Sequence, residues 1–217
     1  MTKTDISFSQ ALREGTWSDH SDSEGAGFME DLMKGRGTRE DYIALVAQHF
    51  FMYEALEAVT EQMRGNAVAA PFISDALIRM PAVQADLAFL LGDNWRDLIE
   101  AVPATRAYAA RITEVAATDP GAFVAHHYTR YLGDLSGGQF ISRLMQRHFG
   151  LERAGVEFYA FDELGDIPEF KDAYRAKLDE IALDEAARAA LIAEARIAYA
   201  FNTEVFTDLA KAKSNEH

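Results

Sequence analysis

GAFVAHHYTRYLGDLSGGQFISRLMQRHF, residues 121–149, is the stretch on which the reading of the whole chain turns. Its apolar residues recur at helical spacing, and Asp119-Pro120 ahead of it supplies a helix start. Yet Gly133, Gly137 and Gly138 fall inside the same run. Each costs about 1 kcal/mol relative to alanine in a helix interior, so together they cost roughly 3 kcal/mol of a marginal stability. Two physical reasons would retain them. Small residues let another helix pack closely or let the helix kink. Alternatively, something flat lies on bare backbone, because glycine has no side chain. At ~100° per residue, Arg130, Gly133, Asp134 and Gly137 fall within one sector of about 100°. That face offers bare backbone flanked by a carboxylate and a guanidinium.

Helical periodicity extends in both directions from this stretch, and no hairpin signal interrupts it. The pattern predicts helices over 6–23, 28–34, 39–64, 74–91, 95–101, 104–117, 121–149, 168–182 and 185–211. Pro81, Pro103 and Pro168 each open a helix-like run as Pro120 does, and Thr38 with Asp41 resembles a capping box. Asp184 marks a further start, and Gly65, Gly92 and Gly150 are plausible stops. The stretch 151–166 is the least helical, and residues from about 211 to 217 read as a short polar tail. No linker or repeat divides the chain, so the expectation is one all-α domain over 1–217.

Bulk composition narrows the chemistry. The chain has 217 residues, 49% hydrophobic and 26% charged, enough for a sizeable core. There is no cysteine, which removes disulfides, thiolate metal sites, iron–sulfur clusters and cysteine nucleophiles together. A formal net charge of −14 argues against nucleic acid and against an anionic membrane surface. The N-terminus lacks an apolar signal core, and no run approaches the ~20 apolar residues of a membrane span. The expectation is a cytoplasmic protein without a membrane anchor.

Of the six histidines, His126 and His127 are adjacent, so at most one faces any given site; both read as core or surface residues. His49 sits in the apolar run ALVAQHFFMYEAL and reads as a packed or bridging residue. His148 lies near a helix end, where a cation suits the dipole. His20 has the more telling surroundings. Leu12 and Thr16 precede it at spacings of four, and Glu24 follows one turn later. A carboxylate there accepts the second imidazole N–H and orients a ligating ring. Arg13 lies two turns earlier on nearly the same face, roughly 10.5 Å along the axis, within reach of an anionic group at a macrocycle's edge.

These residues carry a family resemblance. AHHYTRYLGDLSGGQ, residues 125–139, closely resembles the distal-helix motif of heme oxygenases, and LREGTWSDHSDSEGAGFMEDL, residues 12–32, is similar to their proximal helix. The likeness continues through FMYEALE (51–57), QADLAFLLG (84–92), FKDAYRAKL (170–178) and FNTEVFTDL (201–209), nearly the whole chain in order. Soluble bacterial members look most similar. The resemblance implies a single-domain, all-helical fold with haem b, both cofactor and substrate, sandwiched between the first helix and the glycine-bearing one. It implies His20 as axial iron ligand with Glu24 beside its ring. Gly133 and Gly137 would contact the haem face, Asp134 would organise water above it, and Arg130 and Tyr53 would extend that hydrogen-bond network. Arg13, Thr16, Tyr128, Lys171 and Arg175 would belong to the haem-binding wall and its propionate edge. Trp17 departs from mammalian members, which have a basic residue there.

The implied reaction opens haem at a meso carbon to biliverdin, carbon monoxide and ferrous iron. It uses O2 and electrons from a reduced ferredoxin or an NAD(P)H-dependent reductase. Lys171, Arg175 and Lys177 form a local basic cluster that suits propionates or such a partner, or is a solvated face. Three rivals remain open to test. A haem carrier or sensor would use the same pocket without turnover. A di-iron oxidase would use Glu-x-x-His pairs, but the residues three before each histidine are Trp17, Val46, Phe123, Val124, Met145 and Ser214. A related-fold enzyme acting on a vitamin or quinone precursor would leave His20 and the glycine helix unexplained.

Overall fold

A computed structural model describes residues 6–19 and 27–215. Among the described residues it is organised by α1 (Phe8–Gly15), α2 (Gly27–Met33), α3 (Arg39–Met63), α4 (Met80–Leu91), α5 (Pro103–Arg111), α6 (Pro120–His127), α7 (Gln139–Phe149), α8 (Ile167–Asp179) and α9 (Glu185–Asn215). No strand occurs among the described residues, as the periodicity requires. The predicted starts are built as read. Thr38 and Asp41 close a reciprocal capping box at α3, and Asp119 and Asp184 each accept backbone N–H groups at the following helix; Asp166, not read as a start, does the same at α8. Pro81, Pro103, Pro120 and Pro168 all sit in the first turn. Gly92 and Gly150 end α4 and α7 with φ of 88° and 64°, a region open to glycine.

Four expectations are corrected. The helix read over 6–23 is interrupted at Thr16, whose backbone leaves the helical region at φ −112°, ψ 0°, before residues 17–19 turn helical again. The helix read over 74–91 begins at Met80, with only a 3-10 turn at Asp75–Leu77 before it. A distant carboxylate fixes that start: Glu57 of α3 accepts the N–H groups of Arg79 and Met80. Residues 95–101 form a 3-10 turn at Trp95–Asp97, since the chain is already extended at Val102, whose N–H is taken by Gln48. The tail read from about 211 instead continues α9 to Asn215, and Lys213 is paired with the capping Asp41 at 2.7 Å.

α9 packs lengthwise on α6 and α5, and α3 packs on α4, α5 and α6, so the segment after α6 is enclosed by α3 and α9. The core between them holds Tyr42, Tyr53, Phe123, Tyr174, Leu87 and Val205, all fully buried. Both central histidines are core residues. His126 Nε2 meets Glu194 Oε1 at 3.0 Å, and Arg111 grips the same carboxylate at 2.9 and 2.7 Å. Burial opposes the Glu194 charge, but His126 and Arg111 outweigh it and bring the carboxyl down to about 2. His127 shares a 2.9 Å hydrogen bond with the Tyr174 hydroxyl, and burial drives its imidazole down to about 3.

That depression sets an acid limit on the fold. The unfolded chain protonates this histidine near pH 6.5, while the folded chain resists to about pH 3. Its contribution is therefore fully present above pH 6.5 and lost as pH falls toward 3. Urea unfolding of His127→Gln should show an acid limb shallower than wild type by about one proton, ~1.4 kcal/mol per pH unit. An unaltered limb would mean that His127 takes up its proton within the folded protein.

Candidate functional site

Between α6 and α7 the chain keeps its helical course but widens. Tyr128–Leu132 and Asp134–Gly138 are π-helical, and Gly133 joins them at φ −60°, ψ −52°. The continuous α-helix read over 121–149 is therefore corrected to a helix with two wide turns. Such turns are uncommon and tend to occur where a helix meets a functional site. Despite the altered pitch, Arg130, Gly133, Asp134 and Gly137 still line one cavity, as their shared sector predicted. Met29 and Met33 of α2, His49 of α3, Tyr159 of the loop after α7, and Asn202 and Phe206 of α9 complete its walls.

The glycines divide between the two physical reasons given for them. A Cβ on Gly138 would lie 2.8 Å from Tyr159 Cδ1, so this glycine permits close packing. A Cβ on Gly133 would meet nothing within 4 Å among the described residues. Protein packing does not require a glycine there; an open, side-chain-free surface faces the cavity instead. A flat ligand resting on the helix fits that surface.

Beside it, Asp134 is buried and hydrogen-bonded by the Tyr53 hydroxyl. Arg130 stands 4.0 Å from the same carboxylate, lies 5.7 Å from the Tyr53 ring centre, and donates to Asn202 at 2.5 Å. Burial raises the Asp134 pKa, and Arg130 and Tyr53 pull it back without cancelling the rise. The group can thus hold or pass a proton to water in the cavity. Tyr53, Arg130 and Asp134, expected together from sequence, are together. Three residues around the cavity carry a buried polar atom with no partner among the described residues: Arg130 Nε, His49 Nδ1 and Tyr159 Oη. A cavity with polar groups on one side and Met29, Met33 and Phe206 on another suits an amphiphilic macrocycle with water above it.

The edge residues are placed as follows. Tyr128 is partly buried; burial raises its hydroxyl pKa while Arg175 and Arg13 act against that rise, so the two guanidiniums are its electrostatic neighbours. Lys171 donates to Ser136 Oγ at 2.7 Å, tying α8 to the second wide turn. Arg175 pairs with Asp172 at 2.6 Å on the surface. Together these form a basic patch that can hold carboxylates, although Arg13, Tyr128, Lys171 and Arg175 are not among the cavity's lining residues. Thr16 is buried with its hydroxyl held by Leu12, and is not among the cavity's lining residues. His20 and Glu24 lie outside the described residues.

Sequence reasoning passed over His49 as a ligand-facing group, and it did not single out Tyr159, Asn202, Asp86 or Arg79. The last two fix the irregular backbone that carries Tyr159. Asp86, fully buried, accepts the N–H groups of Glu157 and Phe158 at 2.9 and 2.8 Å. Arg79 donates to the carbonyls of Phe158 and Ala160. Only the polarity of Asp86 in an apolar helix hinted at this, because its partners are 71 and 72 residues away.

Comparison with known proteins gives a consistent result. The family model described as heme oxygenase matches residues 6–208. Heme oxygenase 1 of Synechocystis is 35% identical over 204 residues, covering 94% of this chain and 85% of the relative. Human heme oxygenase 1 is 36% identical over 204 residues, covering 93% of this chain and 71% of the relative. Among solved structures, heme oxygenase-2 of Synechocystis in complex with heme and NO superposes with a TM-score of 0.91 at 36% identity, covering 95% of this chain and 86% of that one. Among the described residues, no group of three His, Asp or Glu side chains is gathered to hold a metal ion, and no helix is long and apolar enough to cross a membrane.

The different surroundings of the two glycines can be separated by stability alone. Gly133→Ala should leave the unfolding midpoint unchanged or raise stability by up to about 1 kcal/mol. Gly138→Ala should lower it by about 1–3 kcal/mol, because the Tyr159 ring must move. Chemical denaturation of both variants decides the point; equal losses would mean that Gly133 is also a packing residue.

Proposed function

The chain belongs to the heme oxygenase family, and from that premise we propose that haem is laid as substrate on the Gly133 face and opened at a meso carbon. The products are biliverdin, carbon monoxide and ferrous iron. The observation that carries this reading is the side-chain-free surface at Gly133 beside a buried Asp134 whose carboxyl pKa burial raises. Two Synechocystis heme oxygenases of this fold were solved in complex with heme, one of them with NO as well, which supports haem as the ligand here. Bound haem supplies the iron at which O2 is activated.

This chain's residues bind, orient and manage protons. Gly133 and Gly137 give the macrocycle a flat wall and leave little height above it. By the family resemblance His20 would hold the haem iron through its imidazole, with Glu24 orienting the ring. The basic edge of Arg13, Tyr128, Lys171 and Arg175 pairs with the propionates and so fixes the in-plane rotation that selects the meso carbon. Asp134 holds water over the glycine face. Tyr53 donates to that carboxylate, and Arg130, anchored on Asn202, keeps it from being fully neutralised. Water held there donates a hydrogen bond without a bulky side chain entering the pocket.

Electrons come from a protein donor, a reduced ferredoxin or an NAD(P)H-dependent reductase. The basic edge is a local exception on a chain of net charge −14 and suits such a partner. A single-domain, cytoplasmic protein fits this role. The test is reductant-driven turnover of the reconstituted complex, following loss of the haem Soret band and identifying the product. Wild type should yield biliverdin and carbon monoxide. Asp134→Ala should bind haem with affinity within about threefold of wild type yet lose roughly tenfold to a hundredfold in biliverdin rate, with Asp134→Asn milder. Haem bound without any biliverdin from wild type would mark a carrier instead. A full rate from Asp134→Ala would refute the role given to that carboxylate.

A further inference from the structure

The second wide turn, Asp134–Gly138, is held from outside its own helix. Wide turns are rare and glycine disfavours a helix interior, so the backbone there has little local reason to keep its course. Two neighbouring side chains of the loop after α7 bear on it. The Tyr159 ring stands where a Cβ on Gly138 would go, 2.8 Å from Cδ1. The Phe158 ring packs against Tyr53 at 5.2 Å between centres and 73° between planes, and Tyr53 donates to Asp134. One loop thus backs both the turn and the tyrosine that holds the turn's carboxylate.

That loop has only short 3-10 turns, at Glu157–Tyr159 and Asp162–Leu164, so other parts of the chain must take its buried backbone polar groups. Asp86 of α4 accepts the N–H groups of Glu157 at 2.9 Å and Phe158 at 2.8 Å. Arg79 donates to the carbonyls of Phe158 and Ala160, and Gln139, the first residue of α7, donates to that of Tyr159 at 2.6 Å. Asp86 is fully buried, in a helix whose other buried residues are Val83, Leu87 and Leu90. Burial pushes its carboxyl up to about 6, against the pull of the loop amides. An apolar residue would fill the site without that desolvation cost, so the carboxylate is there for the amides it takes.

We propose that Asp86 is a positioning residue for the glycine face: by taking the Glu157 and Phe158 amides it fixes where Phe158 backs Tyr53 and where Tyr159 meets Gly138, and so where Asp134 and its wide turn stand. Asp86 is not among the cavity's lining residues; it acts through those two rings. Without its grip the loop retreats, the Tyr53 hydroxyl shifts, and the Asp134 carboxylate loses its aim into the cavity. The catalytic consequence rests on the function proposed above; the mechanical link from loop to wide turn does not.

The test begins on haem-free protein, by amide hydrogen exchange. In Asp86→Asn the side-chain oxygen still accepts one loop N–H, but its NH2 faces the other. Protection over 155–161 should fall about tenfold, protection over 133–139 should fall with it, and α9 should be unchanged. Asp86→Ala should loosen both segments further. Asp208→Ala, which removes the acceptor for the Ala104 N–H at the start of α5, controls for general instability and should leave 133–139 as in wild type. With haem bound, Asp86→Asn should keep affinity within about threefold of wild type while its biliverdin rate per bound haem falls about threefold to tenfold; Asp208→Ala should turn over at the wild-type rate. A loosened loop with 133–139 unchanged, no loosening of either segment, or equal loosening of 133–139 by Asp208→Ala overturns the link. An undiminished Asp86→Asn rate beside an impaired Asp134→Ala overturns the positioning role and leaves the enzyme assignment standing. If wild type makes no biliverdin, the function proposed above fails and the exchange result alone decides the link. If Asp86→Ala does not fold, Asp86→Asn against wild type decides.

Discussion

A carboxylate buried beside a bare stretch of helix is the constraint from which the rest of this structure follows. Asp134 cannot remain buried without partners, because an unpaired buried charge costs several kcal/mol. Tyr53 and Arg130 supply them, from α3 and from the preceding turn of the same wide helix. Arg130 in turn needs Asn202 of α9. The network therefore specifies that α3 and α9 flank the segment between α6 and α7. The apolar packing of Tyr53 against Tyr131 and Phe158, at 5.3 and 5.2 Å between ring centres, locks the arrangement.

The wide turns and the glycines serve the same constraint differently. Gly138 lets the Tyr159 ring approach the helix and so closes one end of the cavity. Gly133 keeps the helix surface bare where none of the described residues would touch a side chain. The fold carries a local propensity cost there that packing does not return. That pattern is expected where a sequence is shaped for a ligand rather than for stability.

Local chemistry made much of the fold legible. The prolines, the Thr38 box, and the Asp119 and Asp184 starts are short-range devices, each complete within about four residues, and all are realised. What failed locally was decided at a distance. Glu57 fixes the start of α4, Gln48 ends the turn before α5, and Lys213 extends α9 onto Asp41. The sector shared by Arg130, Gly133, Asp134 and Gly137 was readable because the wide turns alter the pitch without moving these residues off the cavity wall. Their roles came from family resemblance, since a glycine face by itself does not name its ligand. His49, Tyr159 and the Asp86–Arg79 clamp had no short-range pattern; only the folded chain brings them together.

Where the macrocycle lies relative to Gly133 is the most direct measure of this account, and a crystal structure of the haem complex supplies it. The account predicts the ring plane within about 4 Å of the Gly133 Cα, in van der Waals contact, with His20 on the opposite face and the propionates at the Arg13, Lys171 and Arg175 edge. A macrocycle bound elsewhere, or held off Gly133 by a side chain, would contradict it.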